Sequence, residues 1–370
     1  MTCVSSGKVF AEDPGRLMVT VLAPSVSADE LSEIWLELEQ RSEASFFQSW
    51  GWIGTWYRCL PEGVERVVFQ AHHSGRLVAM GILAAPRASG GRILSLHETG
   101  DMRFDAITIE HNGILCERDW ATQHRSTLLE ALVPLFPNMR RLRLPGVADA
   151  YRDIAAPTGF ELSQVGTAPL FVLDLDDAGF SAISKGTAYK IRKAHRSYSR
   201  FGEVKVSEPR DPAEALAYLT EMASLHQRYW TRRGKSGAFA NAHFNKFHRA
   251  LIADRFASGE IQLLHVTAGP ETLGYLYNFR YRNVVYAYQS GFNYDLIPNG
   301  RPGLLSHWEA VLYNRARGMS AYDFLAGYNQ LKQSLANRQS NLYWMHLERP
   351  SPLYRIARWL RSARDHVRRT

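Results

Sequence analysis

The chain has 370 residues, 45% of them hydrophobic and 22% charged, with a formal net charge of +8. That is ordinary globular composition with length enough for two domains. No apolar run approaches the roughly 20 residues that a bilayer-spanning helix needs. Cys3, Cys59 and Cys116 lie far apart with no C-x-x-C, which argues against a disulfide framework or a zinc site and fits a reducing, cytoplasmic setting. The polar start around Glu12, Asp13 and Pro14 argues against a signal peptide.

In chain order, Leu17 to Ala23 reads as a strand. Ser27 and Glu30 form an S-x-x-E capping box ahead of Leu31, Ile34, Trp35 and Leu38 at helical spacing. A second helix covers Trp50 to Leu60, its aromatic stripe read as core. Strands follow at Arg66–Ala71 and Leu77–Ala84, joined at Ser74-Gly75, then at Arg92–Leu96 and Phe104–Ile109. A helix is expected from Thr122 to Phe136 and a strand at Arg140–Leu144. Gly166-Thr167-Ala168-Pro169 marks a boundary, and a fresh strand starts at Leu170.

Ala182 to Tyr198 reads as a very basic helix. Its Lys185, Lys190, Arg192, Lys193 and Arg196 suit a phosphate-bearing acceptor or tRNA, or else simply a solvated face. Asp211-Pro212-Ala213-Glu214 is a strong helix start, with the helix running to about Arg233. Another helix spans His243–Ser258, and a strand Ile261–Val266. Two long aromatic strands then meet at Arg282-Asn283. Arg301-Pro302-Gly303-Leu304 opens a helix that stops at Gly318, followed by the strand Ala321–Leu325, a short helix at Gln330–Asn337 and the strand Leu342–Leu347. The two halves follow the same order of elements without any residue-level repeat. The reading is therefore α/β with two similar mixed, mostly antiparallel sheets flanked by helices, divided as 1–165, 166–349 and a basic tail 350–370. That tail carries six arginines against one aspartate. It reads as a helix packed on the body, or as one docking on an anionic surface.

Several runs carry a resemblance: Leu225–Ile252, GYLYNFRY (Gly274–Tyr281), YAYQSGF (Tyr286–Phe292), PGLLSH (Pro302–His307), YDFLAG (Tyr322–Gly327), ETGDMRFDAITIEHNGIL (Glu98–Leu115) and the basic Tyr189–Gly202. In order and spacing they resemble the CelD/BioF-like group of GNAT acyltransferases, relatives of the tandem-GNAT Fem-type peptidyltransferases. The resemblance implies tandem GNAT-like domains, an acyl-CoA (acetyl-CoA) co-substrate, no metal, and acyl transfer to an amine such as an amino sugar or small metabolite of envelope or polysaccharide synthesis. Two alternatives stand beside it: a Fem-like transferase whose donor is aminoacyl-tRNA, the one case implying nucleic acid, and a non-catalytic GNAT-like binding module.

Such chemistry sets three tasks. Anionic pyrophosphate suits a helix N-terminus, here Arg301 with the amides of Gly303, Leu304 and Leu305, the glycine allowing close approach. For a base, His226 and Asp323 are the candidates, His226 being equally readable as a core residue. For an acid that protonates the leaving thiolate, Tyr288 and Tyr328 stand best placed, and Leu331 replaces a tyrosine that relatives carry. Lys332, Gln289, Trp230, His111 and Asn112 complete the set as substrate contacts, although Asn112-Gly113 is also a turn signal.

Overall fold

The computed structural model describes residues 17–350 apart from residues 25, 87–89 and 91. The tail beyond Pro350 lies outside the described residues. In chain order the first half runs β1 (Leu17–Val21), α1 (Ala28–Gln40), α2 (Trp50–Cys59), β2 (Val64–His73), β3 (Arg76–Pro86), β4 (Ile93–Leu96), the short α3 (Met102–Asp105), β5 (Leu115–Cys116), α4 (Arg118–Leu132), β6 (Arg141–Val147) and β7 (Glu161–Asp174). The second runs α5 (Asp177–Ser181), α6 (Lys185–Tyr198), β8 (Val204–Ser207), α7 (Pro212–Thr231), α8 (Ala242–Arg255), β9 (Ile261–Ala268), β10 (Glu271–Tyr281), β11 (Val284–Phe292), α9 (Pro302–Arg315), β12 (Ala321–Ala326), α10 (Gln330–Leu335) and β13 (Arg338–Glu348).

Local chemistry accounts for many of these boundaries. Ser27 Oγ accepts from the Glu30 amide at 3.1 Å while Glu30 reaches back to the Ser27 amide at 2.9 Å, which is the expected capping box. Asp211 caps α7 through the Glu214 amide at 2.8 Å, with Pro212 in the first turn. Arg282 and Asn283 both take positive φ, the conformation a tight two-residue hairpin turn requires. The segment expected as a strand at Phe104–Ile109 is instead the end of α3 and a loop. Asp105 there accepts from the amides of Thr99 and Gly100 and from the Thr99 hydroxyl, and Asp101 caps α3, so the segment folds onto itself and has no sheet partner. The helix expected at Thr122 begins four residues earlier, at Arg118.

The strands form one mixed sheet rather than two. Its order is β1-β2-β3-β4-β6-β13-β7-β12-β11-β10-β9-β8, with β5 on β3. In each half an antiparallel pair leads into a short parallel pair bridged by a helix: β4 with β6 across α4, and β11 with β12 across α9. The closing strands are exchanged. β13, from the end of the chain, pairs with β6 of the first half, while β7 pairs with β12 of the second, and β7 and β13 pair along their length. Gly166 lies inside β7, opposite Trp344, so the expected boundary falls within a paired strand.

Alternation along the strands sends side chains to two helical layers. On one face α1, α2, α7 and α8 share a single aromatic core that includes Trp35, Phe46, Phe47, Trp52, Phe244, Phe247 and Phe279. On the other face α4 covers the first half, and α6 with α9 covers the second. The hairpin tip also latches the halves together. The Arg282 guanidinium donates to the carbonyls of Glu39 and Ser42 at the end of α1, and Tyr281 donates to Glu39 Oε1 at 2.6 Å. A cation there satisfies carbonyls that the helix leaves unpaired.

Candidate active site

The parallel pairing of β11 with β12 covers only three residue pairs and stops at Tyr286↔Asp323. Both strands continue, β11 to Phe292 and β12 to Ala326, so their facing edges diverge. β12 also shifts register against β7 after Asp323, where Leu325 takes φ +61°. The opening is a cleft of about 350 Å³ lined by Tyr288, Gln289 and Ser290 of β11, by Phe324, and by Leu331 and Lys332 of α10. Its roof is α7, which supplies His226, Tyr229 and Trp230. α7 lies low because Gly291 has no side chain: a Cβ there would sit 2.3 Å from the Met222 carbonyl oxygen.

A second cleft of about 360 Å³ continues from the first, sharing Tyr229, Phe292 and Tyr294. Arg228, Arg232, Arg233 and Arg301 line it. Arg232 and Arg228 pair with Asp295 at 2.6 and 3.3 Å, and Arg233 stacks 3.8 Å over the Tyr229 ring. Four guanidinium groups against one carboxylate make this an anion-attracting cleft.

The N-terminus of α9 stands at its edge. Arg301 precedes the helix in the left-handed conformation at φ +61°, and no side chain caps the helix. Pro302 has no N–H, so the amides of Gly303 and Leu304 are the donors left over at this end. Leu305 is not among them, because its amide donates to the Arg301 carbonyl at 3.2 Å, one turn in. Nor does Gly303 serve by making room for a ligand. A Cβ there would meet the Phe292 ring at 3.0 Å, so its absence lets α9 pack on β11.

At the floor of the divergence the two halves meet through charged groups. His111 Nε2 lies 2.8 Å from Asp323 Oδ2, and Asp323 Oδ1 accepts from the Leu325 amide at 2.7 Å. Glu110 Oε2 accepts from the Ala326 amide at 2.5 Å. Lys332 Nζ donates to the carbonyls of Leu325 and Ala326 at 3.1 and 2.8 Å. Burial pushes the Glu110 carboxyl up to about 7. Burial pulls Lys332 below its ordinary value, against the opposing pull of Glu110 and Asp323. His111 is pulled down by burial, but Asp323 and Glu110 outweigh that and leave it raised.

Other expected roles do not match their surroundings. Both ring nitrogens of His226 are engaged, Nδ1 with the Ser290 carbonyl at 3.0 Å and Nε2 with the Ala238 amide at 3.4 Å, and burial lowers its basicity. It staples α7 to β11 and is no free base. The Tyr288 hydroxyl donates to the Ile107 carbonyl of the first half and lies 3.2 Å from His248 Nε2, so it is already committed. Tyr328 is 72% exposed, binds Gln333 and lies off the cleft. Asn112 is consumed internally by His97, the Leu96 carbonyl and the Gly113 amide. Gln289, Trp230 and Lys332 do line the cleft, whereas neither Asp323 nor its partner His111 does, and His111 and Asn112 line a separate first-half cleft of about 240 Å³. Sequence reading passed over His307, which lines the cleft and is held down to about 3 by burial and the nearby Lys332, hence neutral. It also missed Arg228 near the end of α7 and Arg232 and Arg233 just beyond it, whose only signal was their closeness in sequence.

Two buried acids set a pH trend. Glu98 is raised to about 8 and Glu110 to about 7, both from 4.5 and both by burial. The folded state therefore binds more protons than the unfolded state between those values. Their stabilising contribution is complete below about 4.5 and is lost as pH rises toward 7 to 8. Denaturant melts of Glu98→Gln should accordingly show a flatter decline of stability between pH 5 and 8 than the parent. An equal slope in the two proteins would refute the assignment.

Residues 185–333 match the family model described as the acetyltransferase (GNAT) domain. Nothing among curated proteins matches the chain. Among solved structures it is similar to FemX, with a TM-score of 0.59 and 10% identity over 91% of this chain and 99% of that one. It is also similar to the C-terminal domain of a putative lysylphosphatidylglycerol synthetase from Agrobacterium fabrum, with a TM-score of 0.52 and 11% identity over 87% and 92%. L-PGS from Bacillus licheniformis follows at 0.50 and 11% over 88% and 94%. At such identities the likeness is one of fold. No described helix is long and apolar enough to cross a membrane, and no described group of three or more His, Cys, Asp or Glu is placed to hold a metal. Residues 185–333 thus match a GNAT domain model, and the chain takes, over most of its length, the fold seen in FemX.

Proposed function

We propose that the chain is an N-acyltransferase that moves an acyl group, acetyl in the simplest case, from acyl-CoA to an amine acceptor of the amino-sugar or small-metabolite class. The observation that carries this reading is the continuity of the arginine-lined cleft beside α9 with the cleft between β11 and β12. An anionic donor head and its reactive end need that pair of environments, one cationic and one enclosed. The groups present suit coenzyme A. Arg301 and the unused amides of Gly303 and Leu304 form a cationic helix start, with Arg228, Arg232 and Arg233 facing it across the cleft. The unpaired edge of β11 from Tyr288 to Phe292 offers backbone donors and acceptors to an amide-bearing arm. When bound, acyl-CoA supplies the thioester carbonyl. The chain supplies an enclosing aromatic roof and, at the floor, Lys332, whose third N–H remains for a ligand after two are spent on backbone carbonyls. Gln289, with no partner among the described residues, is placed to orient the acceptor. The division into two GNAT-like halves and the finer likeness to the CelD/BioF-like group belong to the same proposal.

A second reading, with aminoacyl-tRNA as donor, is favoured by α6. Lys185, Lys190, Arg192, Lys193 and Arg196 are all exposed on it, outside the buried stripe of Thr187, Ile191, Ala194 and Tyr198, and none is in an ion pair among the described residues. Thermal melts separate the two readings. Coenzyme A should raise the melting temperature by linkage, and Arg301→Ala should shrink that rise while leaving the ligand-free melt near the parent's. No rise at millimolar coenzyme A, together with a rise on aminoacyl-tRNA, would replace the first reading with the second.

A further inference from the structure

The bend in β12 that opens the cleft is held by groups from both halves. The second half contributes Asp323 and Lys332. The first half contributes Glu110 and His111 from the loop before β5. Five backbone groups of the bend are held by this clamp or by a neighbouring strand. The Leu325 and Ala326 amides go to Asp323 and Glu110, their carbonyls go to Lys332, and the Gly327 amide goes to the Pro169 carbonyl of β7. Leu325 is a γ-branched residue at φ +61°, a conformation that survives only where its surroundings over-determine it.

We infer that Glu110 of the first half is a positioning residue for the second half's site: it holds the bend that presents Lys332 and supplies the negative charge that keeps the Lys332 ammonium protonated. The groups around that ammonium are few. Glu110 comes from the first-half loop, Asp323 from β12 and the neutral His307 from α9. His111 lies behind Asp323, with Nε2 2.8 Å from Oδ2. An ionised Glu110 sets a negative charge against Lys332, and a neutral residue there removes it. In so buried a cluster the ammonium responds to that difference. The first half thereby adjusts the charge available at the cleft floor, which gives the exchanged, fused sheet a functional consequence: a detached second half would keep Lys332 and Asp323 and lose the Glu110 charge.

This inference rests on Lys332 standing at the transfer site, but its test uses neither donor nor acceptor, so the two can fail separately. The intact chain is treated with an amine-selective reagent from pH 8 to 10, above the value of about 7 to which burial raises Glu110, and modification of Lys332 is followed by peptide mass spectrometry. Glu110→Gln keeps an oxygen for the Ala326 amide and removes the charge. Its Lys332 midpoint should fall by about one pH unit, a roughly tenfold rise in modification rate at fixed pH below the midpoint. Glu110→Asp keeps the charge with a shorter reach and should hold the midpoint near the parent's. Far-UV spectra confirm folding in each case. A Glu110→Gln midpoint equal to the parent's, or an Asp variant that moves as far as the Gln variant, would overturn the inference.

Discussion

Lys332→Met should cut acyl transfer to an identified amine acceptor by about tenfold to a hundredfold while leaving the protein folded. Two of its three donors are fixed on the carbonyls of Leu325 and Ala326, so the ammonium is held in place before any ligand arrives. A charge-assisted contact from such a group is worth about 1.5–3 kcal/mol, and 1.4 kcal/mol is a factor of ten. The loss belongs in turnover if the ammonium meets charge that develops in the transition state, and in apparent acceptor or donor affinity if it meets a ground-state anion. Steady-state kinetics on the parent and variant distinguish these. A solvated lysine would leave both parameters within about 0.5 kcal/mol of the parent. That result would move the reacting centre elsewhere along the cleft.

Trp52→Ala should destabilise the whole chain by about 3–5 kcal/mol, the usual range for removing a large buried aromatic. Trp52 is fully buried. Its ring centroid lies 4.8 Å from those of Phe47 in the first half and Phe247 in the second, and 5.7 Å from Phe279 on β10. The cavity would therefore open where the halves share their core, and the surrounding rings, locked edge to face, have little freedom to collapse into it. Because β7 and β13 are also exchanged, unfolding by urea should stay a single transition with coincident far-UV and aromatic signals. A loss below 1 kcal/mol, or two separated transitions in the parent, would mean that the halves stand independently.

What could be read from sequence was what local chemistry decides. The capping box at Ser27, the Asp211-Pro212 helix start, the Arg282-Asn283 turn and the repeated element order each depend on residues within a few positions of one another. The exchange of β7 and β13 leaves no local mark, since Gly166 and its neighbours have the small-residue composition of a linker whether or not they pair with Trp344. The false strand at Phe104–Ile109 has the right apolar residues, but Asp101 and Asp105 bind nearby amides and win the backbone for a turn. The site divides in the same way. Arg301 and Lys332 were singled out from their places at the glycine-bearing helix start and after the short strand, and they line the two clefts, whereas Asp323, a base candidate, is buried against His111. The roles of His226 and Tyr288 were not, because residue type shows what a side chain is able to donate or accept and not which distant group already holds it. His111 meets Asp323 across 212 positions of chain. Pairings at that range are made by the sheet as a whole.

Hydrogen exchange with and without coenzyme A tests most directly the claim that the divergence of β11 and β12 is the transfer cleft. The account predicts slowed exchange in peptides covering Gln289–Phe292 and the Gly303-Leu304 helix start, with the 111–116 loop of the first half unchanged. Protection confined to the first half, or none at saturating coenzyme A, would contradict it.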